Sequence, residues 1–170
     1  LIRFAEALGM AGGAAGKGKN NPLVVDAMPE DYAAEAARRR MSPRMLVEFV
    51  DGSKTRIEMV AVANATGLVP DVPGMHGPAA GRDELATTLC PRELGGVLAR
   101  RGVVDYSIGK GVAPGVFCVV EMRHPRLAER MTDLKVGPGP CYTLYRPYHL
   151  TSIEVPLSAV RAGLHGRADL

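Results

Sequence analysis

Apolar and polar positions divide the chain into short segments of changing period. Ile2, Phe4, Ala5 and Leu8 form one helical stripe over residues 1–8, with Gly9 just past its end. Residues 11–15 are Ala-Gly-Gly-Ala-Ala, a small-residue run that reads as a buried strand. They lead into Gly16-Lys17-Gly18-Lys19-Asn20-Asn21-Pro22, which reads as a turn. A second helix is predicted to open near Pro29, with Glu30 and Asp31 at its positive end and Arg38, Arg39 and Arg40 at its negative end. That pattern is explained by helix electrostatics, without a nucleic-acid patch. Residues 44–50 are almost continuously apolar and predict a central strand. After the Asp51-Gly52-Ser53-Lys54 turn, Thr55-x-x-Glu58 matches a capping box for a helix to Thr66, with Gly67 as its stop. Ile57, Val60, Ala61 and Asn64 share one face of that helix.

The second half is richer in breakers. Residues 69–81 carry Pro70, Pro73, Gly74, Pro78 and Gly81 and predict a long binding loop centred on His76. Residues 82–98 are helical only at their start. Residues 108–115 form a second glycine-lysine turn around Lys110 and lead into a strand at 116–122. A short helix over 124–135 is stopped by Gly137-Pro138-Gly139-Pro140. In residues 141–150, Tyr142, Leu144 and Arg146 face one way along a strand, and Thr143 and Tyr145 the other. Thr151-x-x-Glu154 is a second capping box, for a helix to about residue 164. Strands alternating with helices predict an α/β fold, a mixed β-sheet with helices packed on it. Residues 1–165 form one domain in this reading, and 166–170 a truncated linker end. The start inside a helix at Leu1, with no initiator Met, reads as a segment of a longer protein.

Composition narrows the class. With 46% hydrophobic and 23% charged residues in 170, the chain can bury one sizeable core. A net charge of +3 from dispersed basic residues, with no Trp and three Phe, argues against a nucleic-acid surface. No apolar run reaches membrane-spanning length and no signal peptide is present, so no membrane association and a cytoplasmic location are expected. Cys90, Cys118 and Cys141 are too far apart for a zinc pattern and read as reduced, partly buried thiols.

The candidate chemistry is cationic. Lys17, Lys19, Asn20 and Asn21 concentrate donors for a phosphate or carboxylate in one turn. Lys54, His76, Lys110, Arg146 and His149 lie at or near other turns, and converging strand ends would bring them together. Clustered lysines suit general acid–base work. Glu58, Glu121 and Asp51 are the available carboxylates, with no spacing that identifies a metal site. Plainer readings stand beside these: a solvated basic turn, a lone loop histidine, an Asn64 that bonds backbone, tyrosines that pack, and a His149 bonded locally. Neither Gly-x-Ser-x-Gly nor a dinucleotide Gly-x-Gly-x-x-Gly after a strand occurs.

Six ordered strings carry a resemblance: Ala15-Gly16-Lys17-Gly18-Lys19-Asn20-Asn21-Pro22, Phe49-Val50-Asp51-Gly52-Ser53-Lys54-Thr55, Ala63-Asn64-Ala65-Thr66-Gly67, Gly74-Met75-His76-Gly77-Pro78, Gly111-Val112-Ala113-Pro114-Gly115-Val116-Phe117 and Tyr145-Arg146-Pro147-Tyr148-His149-Leu150-Thr151-Ser152. Together they resemble the homoserine-dehydrogenase-like NAD(P)H-dependent oxidoreductases, in the branch of the deoxyxylulose phosphate reductoisomerase-like enzymes. The resemblance implies a central catalytic domain that in the family sits between a Rossmann domain and a C-terminal SAF-type domain. On this implication the chain lacks its Rossmann partner and binds nicotinamide poorly by itself. The implied reaction converts 1-deoxy-D-xylulose 5-phosphate to 2-C-methyl-D-erythritol 4-phosphate, with NADPH and a divalent metal, magnesium or manganese. Lys17, Lys19, Lys110 and His76 become the catalytic candidates. Lys17 and Lys19, with Asn20 and Asn21, would hold the phosphate or the reacting oxygens, and Lys110 or His76 would assist proton transfer. Lys54, Asn64, Arg146 and His149 complete the substrate side. The partner is then a small anionic metabolite, and homo-oligomerisation stays open. Two alternatives remain: a homoserine-dehydrogenase-like enzyme of another small hydroxy or keto substrate, and a non-catalytic domain that binds a phosphorylated effector.

Overall fold

Small side chains place one strand in the middle of the sheet. In the computed structural model, which describes residues 1–167, β1 (Ala11–Gly18) is flanked on both sides. It pairs in parallel with β2 (Val103–Ser107) and antiparallel with β3 (Val116–Glu121). β4 (Cys141–Arg146) pairs antiparallel with β3, giving the order β2-β1-β3-β4. The fold is therefore α/β with a mixed sheet, as the alternation of segments predicts. β1 runs through Lys17 to Gly18, so the glycine-lysine string is strand and the turn starts later.

Helices cover both faces of this sheet. α1 (Ile2–Ala7), α4 (Ser53–Thr66) and α6 (Pro125–Asp133) pack on one face. There Ala15, Cys118, Val120 and Tyr142 meet Ala5 and Met131, while Val104 and Tyr106 meet Met59. The other face sets Ala14, Val103, Phe117 and Val119 against Leu85 and Leu89, in and just after the short helix α5 (Leu85–Thr88). The alternation along β4 puts Tyr142, Leu144 and Arg146 on the α1/α4 side and Thr143 and Tyr145 on the α5 side.

Several expected elements change identity. Residues 44–50 are not a strand but part of α3 (Pro43–Val50), following α2 (Ala33–Arg39). Pro43 opens α3, Leu46 and Val47 point inward, and Arg44 pairs with Glu48 one turn on. The helix near Pro29 begins as a 3-10 turn, Pro29–Tyr32, before α2. Thr55 does not cap α4 but lies buried within it; Gly52 stands at the N-cap and Gly67 ends the helix as predicted. Ile57 and Val60 are exposed, and the inward positions of α4 are Thr55 and Met59. Thr151 opens a 3-10 turn rather than α7 (Val155–His165), with no side-chain cap. Residues 168–170 of the expected linker end lie outside the described residues.

β2 is the element that the sequence pattern did not announce. It is an edge strand, yet all five of its residues are buried. The loop after α4 runs along its outer edge: Val104 N donates to Val69 O at 3.0 Å, and Ile108 N to Pro78 O at 3.0 Å. This cover satisfies groups that an open sheet edge would present to another chain. Cys90, Cys118 and Cys141 are buried free thiols, as the spacing suggested. Among the described residues no helix is long and apolar enough to cross a membrane.

Candidate functional site

One end of the sheet gathers the C-termini of β1, β2 and β4 and the N-terminus of β3. In register across that end lie Tyr106, Lys17, Val116 and Arg146, all on the α1/α4 face. Beside them a cavity of about 420 Å³ opens between α1, α4 and the sheet. Ala15, Gly16, Val116 and Arg146 form its sheet side, and Met59 and Val62 its helix side. Lys17 neighbours Val116 in register, and its ammonium pairs with Glu58, which precedes Met59 on α4. Neither residue of the pair is itself on the cavity lining, though each adjoins one that is; the lysine side chain is 12% exposed and the glutamate 34%. Arg146 is held by Glu154 and lies 5.2 Å over the Tyr148 ring.

Lys19 lies at the same end but in another role. Only 5% exposed, its Nζ donates to the carbonyls of Asn21 at 2.7 Å, Pro22 at 2.9 Å and Phe49 at 2.8 Å. All three ammonium protons are therefore engaged, and they tie the Asn-Asn-Pro turn to the end of α3. Burial holds its pKa below the ordinary lysine value, with Asp51 opposing the shift. Lys19→Met leaves three carbonyls without their donor and is expected to cost about 3 kcal/mol. Urea unfolding checks this, and turnover per folded molecule should fall less than stability does.

The remaining candidates are distributed unevenly. Asn20 and Asn21 are exposed on the turn after β1. Lys54 is exposed at the start of α4, with its Nζ 4.8 Å above the Phe49 ring. Lys110 is exposed on the loop between β2 and β3, and His149 Nδ1 donates to Pro114 O at 2.8 Å on that loop. Asn64 is exposed on α4 near its C-terminal end and is not on the cavity lining.

His76 belongs to a second cluster, along β2. Its Nε2 donates to Asp71 Oδ2 at 2.9 Å, and its backbone N–H to Asp105 Oδ2 at 3.1 Å. The Asp71 side chain is 1% exposed. Burial opposes its charged form, but the Ala99 amide at 2.8 Å and His76 outweigh that and hold its pKa below the usual carboxylate value. Asp105, fully buried, accepts from the amides of Gly77 and Tyr106 as well as His76. Its pKa is nonetheless raised, because desolvation exceeds the help of those amides.

Sequence reasoning missed Arg56, Asp71 and Asp105. Asp105 carried a signal, a carboxylate inside the apolar string Val103-Val104-Asp105-Tyr106. Arg56 is buried at Nε with no hydrogen-bond partner, and its guanidinium lies against the backbone at Gly52 and Gly74. A side chain at either glycine would touch it: a Cβ there would stand 3.5 Å from Cζ at Gly52 and 3.7 Å from Nη2 at Gly74. A partly buried guanidinium donor without an acceptor favours a nearby anion.

The family model described as "Oxidoreductase DRL, catalytic domain" matches residues 1–155. The chain belongs to this family and forms an oxidoreductase catalytic domain. No curated protein matches it.

Proposed function

We propose that the chain is the catalytic domain of a reductoisomerase-like enzyme that rearranges and reduces a small anionic sugar phosphate, with NADPH held mainly by a separate domain. The carrying observation is the Lys17–Glu58 pair, whose neighbours Gly16, Val116 and Met59 line the sheet-face cavity, in a chain of an oxidoreductase family. When bound, NADPH supplies the hydride to the carbonyl carbon. The flat, small-residue wall at Ala15 and Gly16, with Val116 and Met59, suits the face of a planar ring beside the substrate. Lys17 Nζ gives its proton to the carbonyl oxygen as the hydride arrives, and Glu58 returns a proton to it from solvent. Arg146, Lys54, Asn20 and Asn21 bind the anionic end of the substrate, with Arg56 as a further donor behind the turn. Lys110 and His149 position the loop over the same edge, and Lys19 holds the Asn-Asn-Pro turn in place. His76, oriented by Asp71, is kept as a second proton donor that depends on movement of its loop.

1-Deoxy-D-xylulose 5-phosphate is the proposed substrate, because the cationic edge suits a sugar phosphate; its carbon skeleton rearranges to a branched aldehyde before reduction, and that aldehyde is the carbonyl that Lys17 protonates. Among the described residues no group of three or more His, Cys, Asp or Glu is placed to hold a metal ion. No step of the proposed reaction is assigned to magnesium or manganese.

The test follows NADPH oxidation by the full-length protein with 1-deoxy-D-xylulose 5-phosphate, and NADP reduction with homoserine, each with and without magnesium or manganese. Turnover of the sugar phosphate is expected. Turnover of homoserine alone would move the substrate to the hydroxy-acid class. Silence with both, together with no nicotinamide binding, would overturn the proposal in favour of an effector-binding domain.

A further inference from the structure

The opposite face of the sheet holds a second cavity, of about 500 Å³. Cys141, Thr143 and Tyr145 of β4 form its floor, and α5 and the Gly137-Pro138-Gly139-Pro140 turn its walls. Arg146, the next residue of β4, lines the first cavity, so the two sites share a strand and lie on opposite faces. No step of the reduction uses this second space.

Three observations describe what it would hold. Thr143 Oγ1 is buried and has no hydrogen-bond partner. A buried hydroxyl left this way is unfavourable unless water or a ligand meets it. Arg82 and Lys135 also line the cavity, and among the described residues neither forms an ion pair. Arg82 instead lies 4.5 Å over the Tyr145 ring. Asp83 is on the lining too, which leaves an excess of positive charge. The thiol wall adds no negative charge: burial, then the neighbouring Cys90 thiol, push Cys141 up to about 12. Ala86, Leu94 and Val136 complete an apolar side.

We propose that this cavity binds a small molecule carrying a carboxylate or phosphate, with Arg82 and Lys135 on the anion, Thr143 as a hydrogen-bond partner, and the apolar wall against its body. The site also stands directly behind the Lys110 loop. Tyr145 OH shares its one proton between Gly111 O at 3.1 Å and Val112 O at 2.9 Å, and Arg82 N donates to Lys110 O at 3.3 Å. A ligand on Arg82 and Tyr145 therefore touches two of the residues that hold this loop.

The test is calorimetric titration of the full-length protein with inorganic phosphate and, separately, with benzoate, alongside the rate at which N-ethylmaleimide alkylates Cys90 and Cys141. Saturable binding of one probe, with slower alkylation, is expected; which probe binds separates the phosphate from the carboxylate source. Arg82→Gln and Thr143→Val should each weaken Kd about 10-fold, the scale of a hydrogen bond to a charged group. Thr143→Ser, which keeps the hydroxyl, should bind like the parent, and so should Lys17→Met, which alters only the other face. Thermal melts confirm that each variant is folded. No saturable binding with either probe overturns the proposal. Binding that survives both Arg82→Gln and Thr143→Val, or that is lost in Lys17→Met, overturns it as well.

Discussion

Gly16→Ala is expected to lower the melting temperature by about 10 °C or to abolish soluble expression. A Cβ at Gly16 would stand 1.8 Å from Asp105 O, 2.8 Å from Asp105 C and 2.9 Å from Phe117 Cζ. The first two atoms are backbone of the strand that Gly16 pairs with. They have little room to retreat, because the Asp105 carboxylate is bonded to the amides of His76, Gly77 and Tyr106. Forcing a methyl into a packed interior costs about 1–3 kcal/mol, and more where backbone must move. At about 2–4 °C per kcal/mol for a chain of this size, a cost of about 3 kcal/mol gives the stated shift. Gly12→Ala, in the same strand, is the control, because nothing lies within 4 Å of its Cβ position. It should match the parent or exceed it slightly, since glycine within a strand costs roughly 0.5–1 kcal/mol relative to alanine. Scanning calorimetry or far-UV circular dichroism decides the matter. Equal melting temperatures for the two variants would mean that β1 and β2 are not paired as described.

Those glycines also show where sequence reasoning turned. Gly16 and Gly18 beside Lys17 read as a flexible turn, but in the sheet they serve close approach. A Cβ at Gly18 would stand 2.2 Å from Ala113 N. Glycine marks both situations, and only the tertiary neighbour tells them apart. Residues 45–50 present the same difficulty in another form. A short apolar run fits a buried strand or a helix equally well by period, and here the Ser42-Pro43 start and the inward Leu46 and Val47 select α3. β2 stayed hidden because Asp105 and Ser107 interrupt its apolar pattern. Asp105 is satisfied by amides 28 and 29 residues earlier in the chain, a contact with no local signature.

Other features were legible because their cause is local. The stop at Gly67 follows from its left-handed backbone, with a φ of +74° that glycine adopts without strain. The two faces of β4 follow from a period of two. The α/β class follows from the alternation of segments, whatever the identity of any one of them. In the candidate site, the sequence suggested that Lys17, Lys19, Lys110, Arg146 and His149 would meet in one pocket, yet of these only Arg146 is on the lining of the sheet-face cavity. The division of labour among them was not legible, since Lys17 and Lys19 are two residues apart yet one meets Glu58 and the other three carbonyls. Strand geometry would put both lysines on one face, but β1 ends at Gly18, and Lys19 lies on the turn beyond it.

Lys17→Met is expected to reduce NADPH-dependent turnover by about 100- to 10,000-fold with little change in stability, the range for loss of a positioned general acid. The partner of its ammonium, Glu58, is one-third exposed, so the ion pair itself contributes little to folding. The loss should therefore fall on kcat, with KM for the substrate changed only slightly. Lys17→Arg sharpens the reading: it keeps the positive charge beside Glu58, but a guanidinium does not release its proton near neutral pH. If Lys17 only attracts the anion, the arginine variant should retain most of the turnover. If Lys17 delivers the proton, the arginine variant should be nearly as slow as the methionine variant while substrate binding survives. Glu58→Gln should give a smaller loss, because water can still return a proton to Lys17 at this partly exposed position. Steady-state rates for these variants, measured beside Lys19→Met, separate chemistry from scaffold. Unimpaired turnover in Lys17→Met would remove Lys17 from the mechanism and leave the His76–Asp71 pair as the proton donor to examine.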